Sequence, residues 1–242
     1  SGLANIIITN RCDLTFWYCF FYVKKGLEGA YLYEPTLEQI RAMAKTLKAE
    51  RPIPGNSLQI TGGEPMLRED IFDLIRILKE EGIDHIQMNT NGIRLAIDAD
   101  LMRRIREAGV SNLYLSFDGV TPRTNPKNHW EIPYTLENAR KNGMNIVFVP
   151  TVIKSINDHE LGGIVKYAQK HLDVVHAVNF QPVSLTGRMT KKEREKYRIT
   201  IPDCIKRIEE QTNGEIPEDA WFPVPSCMPL TNIIEQFSKK PK

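Results

Sequence analysis

Cysteine is scarce in this chain of 242 residues, with four thiols at Cys12, Cys19, Cys204 and Cys227. Two of them lie far from the first pair, so the pattern excludes a small disulfide-framed scaffold and fits a reducing, cytoplasmic setting. Long apolar runs are also missing. The stretch from Ile146 to Ile153 is broken by Pro150, and it falls far short of the ~20 residues that a membrane-crossing helix needs. No secretory signal pattern opens the chain. The first strand-like run begins so early that an upstream segment of a longer protein is expected. Charge of one sign is lacking too: 32 Lys and Arg against 30 Asp and Glu leave +2. Such a near-neutral total gives no broad field for nucleic acid or an anionic membrane. His129, His159 and His176 show no metal-ligand spacing. No internal repeat and no low-complexity block is present.

What is present is a regular alternation. With 41% apolar residues, the chain is long enough to bury one sizeable core. Strand-like runs fall at 4–9, 57–61, 85–90, 112–117, 145–152 and 177–182, with helix-like runs between them. The order predicts an α/β fold of six βα units. Several strands are apolar on both parities, as in a parallel sheet covered on both faces. Six units rather than eight predict an open partial (β/α)6 barrel of the TIM-like kind. Thr36 and Gln39 form a capping box ahead of the first helix, and Gly109 is placed to close the third as a left-handed cap. After the sixth strand the pattern weakens into charged helical runs at 190–197 and 203–210 and a turn-rich tail. Residues 1–189 are therefore expected to form the barrel core, and 190–242 a helical and turn-rich extension packed on it.

The motif-bearing segments follow the predicted strands. Cys12 and Cys19 follow the first strand among Phe16, Trp17, Tyr18, Phe20, Phe21 and Tyr22. On spacing alone they suit either two buried apolar thiols or ligands to a soft metal or an iron-sulfur cluster. Gly62-Gly63-Glu64-Pro65 follows the second strand, Asn89-Thr90-Asn91-Gly92 the third, and Ser116-Phe117-Asp118-Gly119 the fourth. In a parallel barrel all of these emerge on the C-terminal face, which predicts one shared site. A long connection, Val120 to Ile132, leaves the same face and carries His129 and Trp130, so it is a candidate lid or a mobile surface loop.

In this order and spacing the motifs resemble the radical S-adenosylmethionine (SAM) superfamily. Its usual loop is CxxxCxxC after the first strand, with GGEP after the second. Here the outer cysteines are Cys12 and Cys19, while the middle position is Phe16. The resemblance implies a 4Fe-4S cluster held by thiolates, SAM chelated to its remaining iron, and a 5′-deoxyadenosyl radical that abstracts hydrogen from a substrate. It implies metal ligation by Cys12 and Cys19. It also implies SAM contacts from Tyr18, Gly62, Gly63, Glu64, Pro65, Asn91, Ser116, Asp118, Thr151 and Lys154. His129, Trp130, Gln181 and Arg188 are the candidates to meet substrate, the last by bidentate pairing with a carboxylate or phosphate. The FFY run, the NHWE loop and the QPVSLTGR segment point more narrowly to the archaeal branch that includes tetraether lipid synthase and methanopterin-pathway methylase-type proteins. A lipid or pterin-type small molecule is the substrate class so implied, with ferredoxin or flavodoxin as electron donor.

Phe16 keeps a second reading open. A phenyl ring offers no lone pair and brings apolar bulk to where sulfur and cluster belong. A cluster-deficient descendant or engineered variant, keeping the barrel and SAM or nucleotide binding without radical catalysis, is the alternative. A scaffold without ligand would explain Phe16 but leave the glycines unexplained. Cys204 and Cys227 are read as structural.

Overall fold

The structure, a computed structural model, describes residues 3–20, 31–51, 54–187 and 189–222. The strands are β1 (Ala4–Thr9), β2 (Ser57–Gly62), β3 (His85–Thr90), β4 (Val110–Ser116), β5 (Asn145–Val149), β6 (Thr151–Val152), β7 (Val175–Val178) and β8 (Gln181–Pro182). The helices are α1 (Leu37–Ala49), α2 (Ile71–Glu80), α3 (Ile93–Ile97), α4 (Ala99–Ala108), α5 (Ile132–Lys141), α6 (Leu161–Gln169), α7 (Lys191–Tyr197) and α8 (Ile201–Gln211). Six strands form one parallel sheet in the order β1-β2-β3-β4-β5-β7, and β6 pairs with β8 alone. The edge strands β1 and β7 are not paired with each other. The barrel is partial and open, as the six-unit pattern predicts.

Two expected strands are each split. The run 145–152 breaks at Pro150, which has no N–H to give to the ladder, and 177–182 breaks opposite it. Pairing continues across both gaps, because Gln181 N donates to Pro150 O at 2.9 Å and Val183 N to Val152 O at 2.9 Å. The short helix α3 directly after Gly92 has no counterpart in the sequence-based expectation. At five residues it is too short for an amphipathic period to register.

One face of the sheet carries the core. Ile60, Met88, Leu113, Leu115, Ile146 and Phe148 are buried there with Ile40, Leu74, Ile105, Leu136 and Ile164 from the helices. The other face differs from the expectation of full cover. Burial alternates along β3, β5 and the second half of β4, with Gln87, Asn89, Tyr114 and Val147 only half-buried between buried neighbours and Asn112 half-buried beside Leu113. An open barrel lacks the opposing strands that would seal this interior, so polar side chains are tolerated in it.

Local signals explain the helix ends. Thr36 Oγ1 accepts from Gln39 N at 3.2 Å while Gln39 Oε1 accepts from Thr36 N at 2.9 Å. Thr36→Ala removes half of that exchange and is expected to cost about 1 kcal/mol. Differential scanning calorimetry should register this as a fall in Tm of roughly 2–4 °C. Gly109 closes α4 at φ 114°, in the left-handed region that favours glycine. Beyond the barrel, α8 contributes Cys204 and Ile208 to the same core. Its end is tied to the start of α6, since Gln211 Oε1 accepts from Gly162 N at 2.9 Å and Gln211 Nε2 donates to Asp158 O at 2.8 Å. No helix among the described residues is long and apolar enough to cross a membrane.

Candidate functional site

The thiol loop and the glycine turn lock together where β1 and β2 end. Gly63 N donates to Thr9 O at 2.9 Å and Glu64 N to Arg11 O at 2.7 Å. A Cβ on Gly63 would stand 2.0 Å from the Arg11 carbonyl oxygen, so only glycine permits this approach. The pairing holds the backbone after Cys12 in place before any ligand is considered. Arg68, 5% exposed, secures the same corner by donating to Ile8 O at 2.8 Å and Pro35 O at 2.7 Å. It also pairs with the Asp70 carboxylate at 2.6 Å, and nothing in the sequence pattern signalled its role, because the backbone atoms it ties down are remote along the chain.

Glu64 joins this corner to β3. Its Oε1 accepts from Met66 N at 3.1 Å and from Thr90 Oγ1 at 2.8 Å, and its Oε2 from Asn91 N at 2.8 Å. Asn91 Nδ2 in turn donates to Asp13 Oδ1 at 2.8 Å, back in the thiol loop. Burial pushes the Glu64 carboxyl up to about 7 from an ordinary 4.5, although these three donors pull it down. Losing hydration outweighs them because the side chain is sealed from water. The folded protein therefore holds this proton to higher pH than the unfolded chain does. Stability from Glu64 is complete below 4.5, is lost between 4.5 and about 7, and falls there by about 1.4 kcal/mol per pH unit. A ¹³C NMR titration of the Glu64 carboxyl carbon, assigned with Glu64→Gln, should give a midpoint near 7. A midpoint at the ordinary carboxylate value would mean that the three donors prevail.

A second cluster closes the opposite wall. The Asp118 side chain, buried beyond β4, accepts from Lys127 Nζ at 2.6 Å and Tyr18 Oη at 2.9 Å on Oδ2, and from Thr151 N at 2.8 Å on Oδ1. Lys127 and Asp118 side chains are each 4% exposed, and Lys127 also donates to Ser116 Oγ. Burial, then the Asp118 carboxylate, push the Tyr18 phenol well above its usual range. The long connection is no loose lid. Glu160 holds its start through Val120 N, Thr121 Oγ1 and Thr124 Oγ1 at 2.7, 2.9 and 2.6 Å. Asn128 Nδ2 donates to Asn91 O and Ser116 O at 2.6 and 2.8 Å.

Between the two clusters lies a cavity of about 200 Å³. Cys12, Cys19, Gly62, Gly63, Glu64, Asn91, Ser116, Thr151 and Gln181, all expected at the site, line it together. Other expected residues stand elsewhere. Tyr18 and Asp118 are not in the lining, and their side chains bond each other beside it. Pro65 is buried in the 3-10 turn Pro65–Leu67. Lys154 is exposed, and Trp130 is 71% exposed with His129 edge-on to it at 4.9 Å. Arg188 and Cys227, with Phe21 and Tyr22, lie outside the described residues. The cation at the cavity is Lys127, which the sequence did not mark because it sits inside a long polar loop. Asn89 and Tyr114, also in the wall, were detectable in principle as polar members of period-two strands.

The donor set can be tested against the groups that the motifs imply. Cys12 and Cys19 supply two thiols, and burial pushes the Cys12 thiol up to about 12. The third position is filled by the Phe16 ring, which lines the cavity. It stacks on the Tyr18 ring at 5.2 Å and lies 5.7 Å from Lys127 Nζ. Among the described residues no group of three or more His, Cys, Asp or Glu is placed to hold a metal ion. The described side chains therefore do not make up the three-thiolate set of a 4Fe-4S cluster. The remaining lining does suit an adenosyl zwitterion, with a carboxyl group, a cation, hydroxyls, amides and exposed glycine backbone.

The comparisons with known proteins agree with this architecture. The sequence model of the radical SAM superfamily matches residues 6–168. The chain is 42% identical over 246 residues to 7,8-dihydro-6-hydroxymethylpterin dimethyltransferase of Methanocaldococcus jannaschii, covering 99% of this chain and 48% of that protein. It thus spans about half the length of that relative. It is 29% identical to GTP 3′,8-cyclase of Aquifex aeolicus over 172 residues, 68% of this chain and 52% of that one. Among solved structures, methylornithine synthase (PylB) superposes with a TM-score of 0.64 at 18% identity, covering 88% of this chain and 62% of that one. The methyltransferase TsrM from Kitasatospora setae, solved with cobalamin and a 4Fe-4S cluster, gives 0.50 at 12% identity over 75% and 36%. The last two likenesses concern the fold alone. A family match running from β1 into α6, on a half-open parallel barrel whose motif loops share one cavity, places this chain in the radical SAM superfamily.

Proposed function

We propose that this chain is the core of a radical SAM enzyme that binds SAM in the cavity at its C-terminal rim and acts by hydrogen abstraction on a small pterin-type molecule. The observation that carries the reading is convergence. The thiol loop, the glycine turn, Asn91, Ser116, Thr151 and Gln181, which follow successive strands, line one cavity. The substrate class is supported by the 42% identity to a pterin dimethyltransferase. In this reading the backbone at Gly62 and Gly63 and the Glu64 carboxyl hold the ammonium of SAM. Lys127 faces its carboxylate, and the hydroxyls of Ser116 and Thr151 take ribose or methionyl groups. The apolar rings of Phe16 and Phe20 exclude water from the bound cofactor. Cys12 and Cys19 would be the thiols to hold the family's cluster, which would supply the electron for SAM cleavage from a ferredoxin or flavodoxin, with Phe16 leaving the third position without a ligand.

Phe16 favours a second reading, a cluster-deficient core that binds SAM without cleaving it. Two thiolates leave one iron without a protein ligand, and affinity depends on ligand count and geometry. One experiment decides. Anaerobic reconstitution with iron and sulfide, followed by reduction in the presence of SAM, is read out as bound iron and 5′-deoxyadenosine. Iron near four per chain with deoxyadenosine supports the first reading. Colourless protein that still retains SAM in equilibrium dialysis supports the second, and failure to bind SAM under either condition overturns both.

A further inference from the structure

Below the cavity, the sheet interior carries a row of side chains that no part of the SAM site uses. The ladder registers set Asn5 against Gln59, Gln59 against Gln87, Gln87 against Asn112, and Asn112 against Asn145. Five neighbouring strands thus present a carboxamide at one level. Gln59, Gln87 and Asn112 lie two residues before Thr61, Asn89 and Tyr114, which line the cavity. The two-residue strand period puts both sets on the same face. The flanking residues Leu58, Ile60, Ile86, Met88, Leu113 and Ile146 are buried on the opposite face, in the core. Two residues along a strand correspond to about 6.6 Å, so the row lies directly beneath the cavity floor.

Closed parallel barrels fill this interior with branched apolar side chains. Here none of the five amides finds a hydrogen-bond partner among the described residues. Gln59 is only 8% exposed, and Gln87 Oε1 is buried without a partner. Gln87, Asn112 and Asn145 are half-buried and Asn5, at the open edge, is exposed. An unpaired buried amide atom such as Gln87 Oε1 is costly, and five amides in register are not a requirement of the fold. Each carboxamide offers an acceptor beside a pair of donors, the pattern that reads the edge of a nucleobase in bidentate fashion. The row holds no charged side chain, so it selects against ionic groups.

We propose that the amide row Asn5–Gln59–Gln87–Asn112–Asn145 is the recognition edge for a planar, uncharged heterocycle with adjacent amide-type donors and acceptors, the ring chemistry shared by pterins and guanine. The assignment rests on the reading of the cavity above as the SAM site, because only then does a ring on the row lie beneath the adenosyl group. It adds the residues that would choose the substrate ring.

The test uses the full chain with two probes, 6-hydroxymethylpterin followed by fluorescence and guanosine by equilibrium dialysis, alongside S-adenosylhomocysteine for the upper cavity. The double variant Gln87→Met/Asn112→Leu keeps side-chain size and removes both amides. It is expected to bind the heterocycle at least ~10-fold more weakly, at roughly 3–10-fold per amide, with S-adenosylhomocysteine affinity within ~2-fold of the parent, as expected for sites that share no partners. Should the double variant not fold, the single variants Gln59→Met and Asn112→Leu are read in the same way. Whichever probe shows the loss identifies the ring class. Heterocycle affinity unchanged in the variants, or neither probe binding a parent chain that binds S-adenosylhomocysteine, overturns the row as a recognition edge and leaves the SAM site standing. A parent that does not bind S-adenosylhomocysteine but binds a heterocycle through the row keeps the recognition edge and removes the SAM assignment.

Discussion

Phe16→Cys, reconstituted anaerobically with iron and sulfide, is expected to bind about four irons per chain and to develop a brown chromophore that the parent lacks or holds more weakly. The position lies in the cavity wall with Cys12 and Cys19, so the new sulfur joins the two thiols already there. The shape of the loop survives the change, because it is set by backbone contacts. Glu64 N to Arg11 O and Cys19 N to Phe16 O are indifferent to the side chain at 16. What the ring does supply is stacking on Tyr18 at 5.2 Å. Losing that contact and part of a half-buried ring costs roughly 1–2 kcal/mol, less than the 3–5 kcal/mol of a fully buried Phe truncation. The reconstituted variant should then form 5′-deoxyadenosine from SAM on reduction. Phe16→Cys that stays folded by circular dichroism but takes up no more iron than the parent would show that the thiol count is not what limits this loop.

Asp118→Ala should produce the largest loss of stability. It leaves the Lys127 ammonium, whose side chain is 4% exposed, without a counter-charge in a dry wall, a change that costs about 3–5 kcal/mol. For a chain of this size that corresponds to a fall in Tm of roughly 6–20 °C. Tyr18 Oη and Thr151 N lose their acceptor at the same time, so the thiol loop comes away from β4 and SAM affinity should fall with stability. Lys127→Met is expected to cost less, since Asp118 keeps its donors from Tyr18 and Thr151. The double variant Asp118→Ala/Lys127→Met should recover much of the Asp118→Ala loss, because removing both charges together spares the cost of an unpaired one. Chemical denaturation of the four proteins gives the coupling directly. Additive losses would mean that the pair is not buried as described.

Much of this protein was fixed by local signals. The strand and helix pattern, the capping box at Thr36, the glycine cap at Gly109 and the order of the motifs are properties of a few consecutive residues. An open parallel barrel follows from six βα units without further information. The same is true of the candidate site in outline, since a motif after each strand must emerge on one rim.

The tertiary structure decided what those motif residues touch. The side chains of Asp118 and Tyr18 meet in a buried network with Lys127, and Lys127 rather than Lys154 is the cation at the cavity. Glu64 is a hub joining three loops, and the amides of five strands align only through inter-strand register. The reason is physical: periodicity and capping act over one or two turns of chain, whereas ion pairing, burial and register depend on which distant segments become neighbours, and only the folded chain sets those distances.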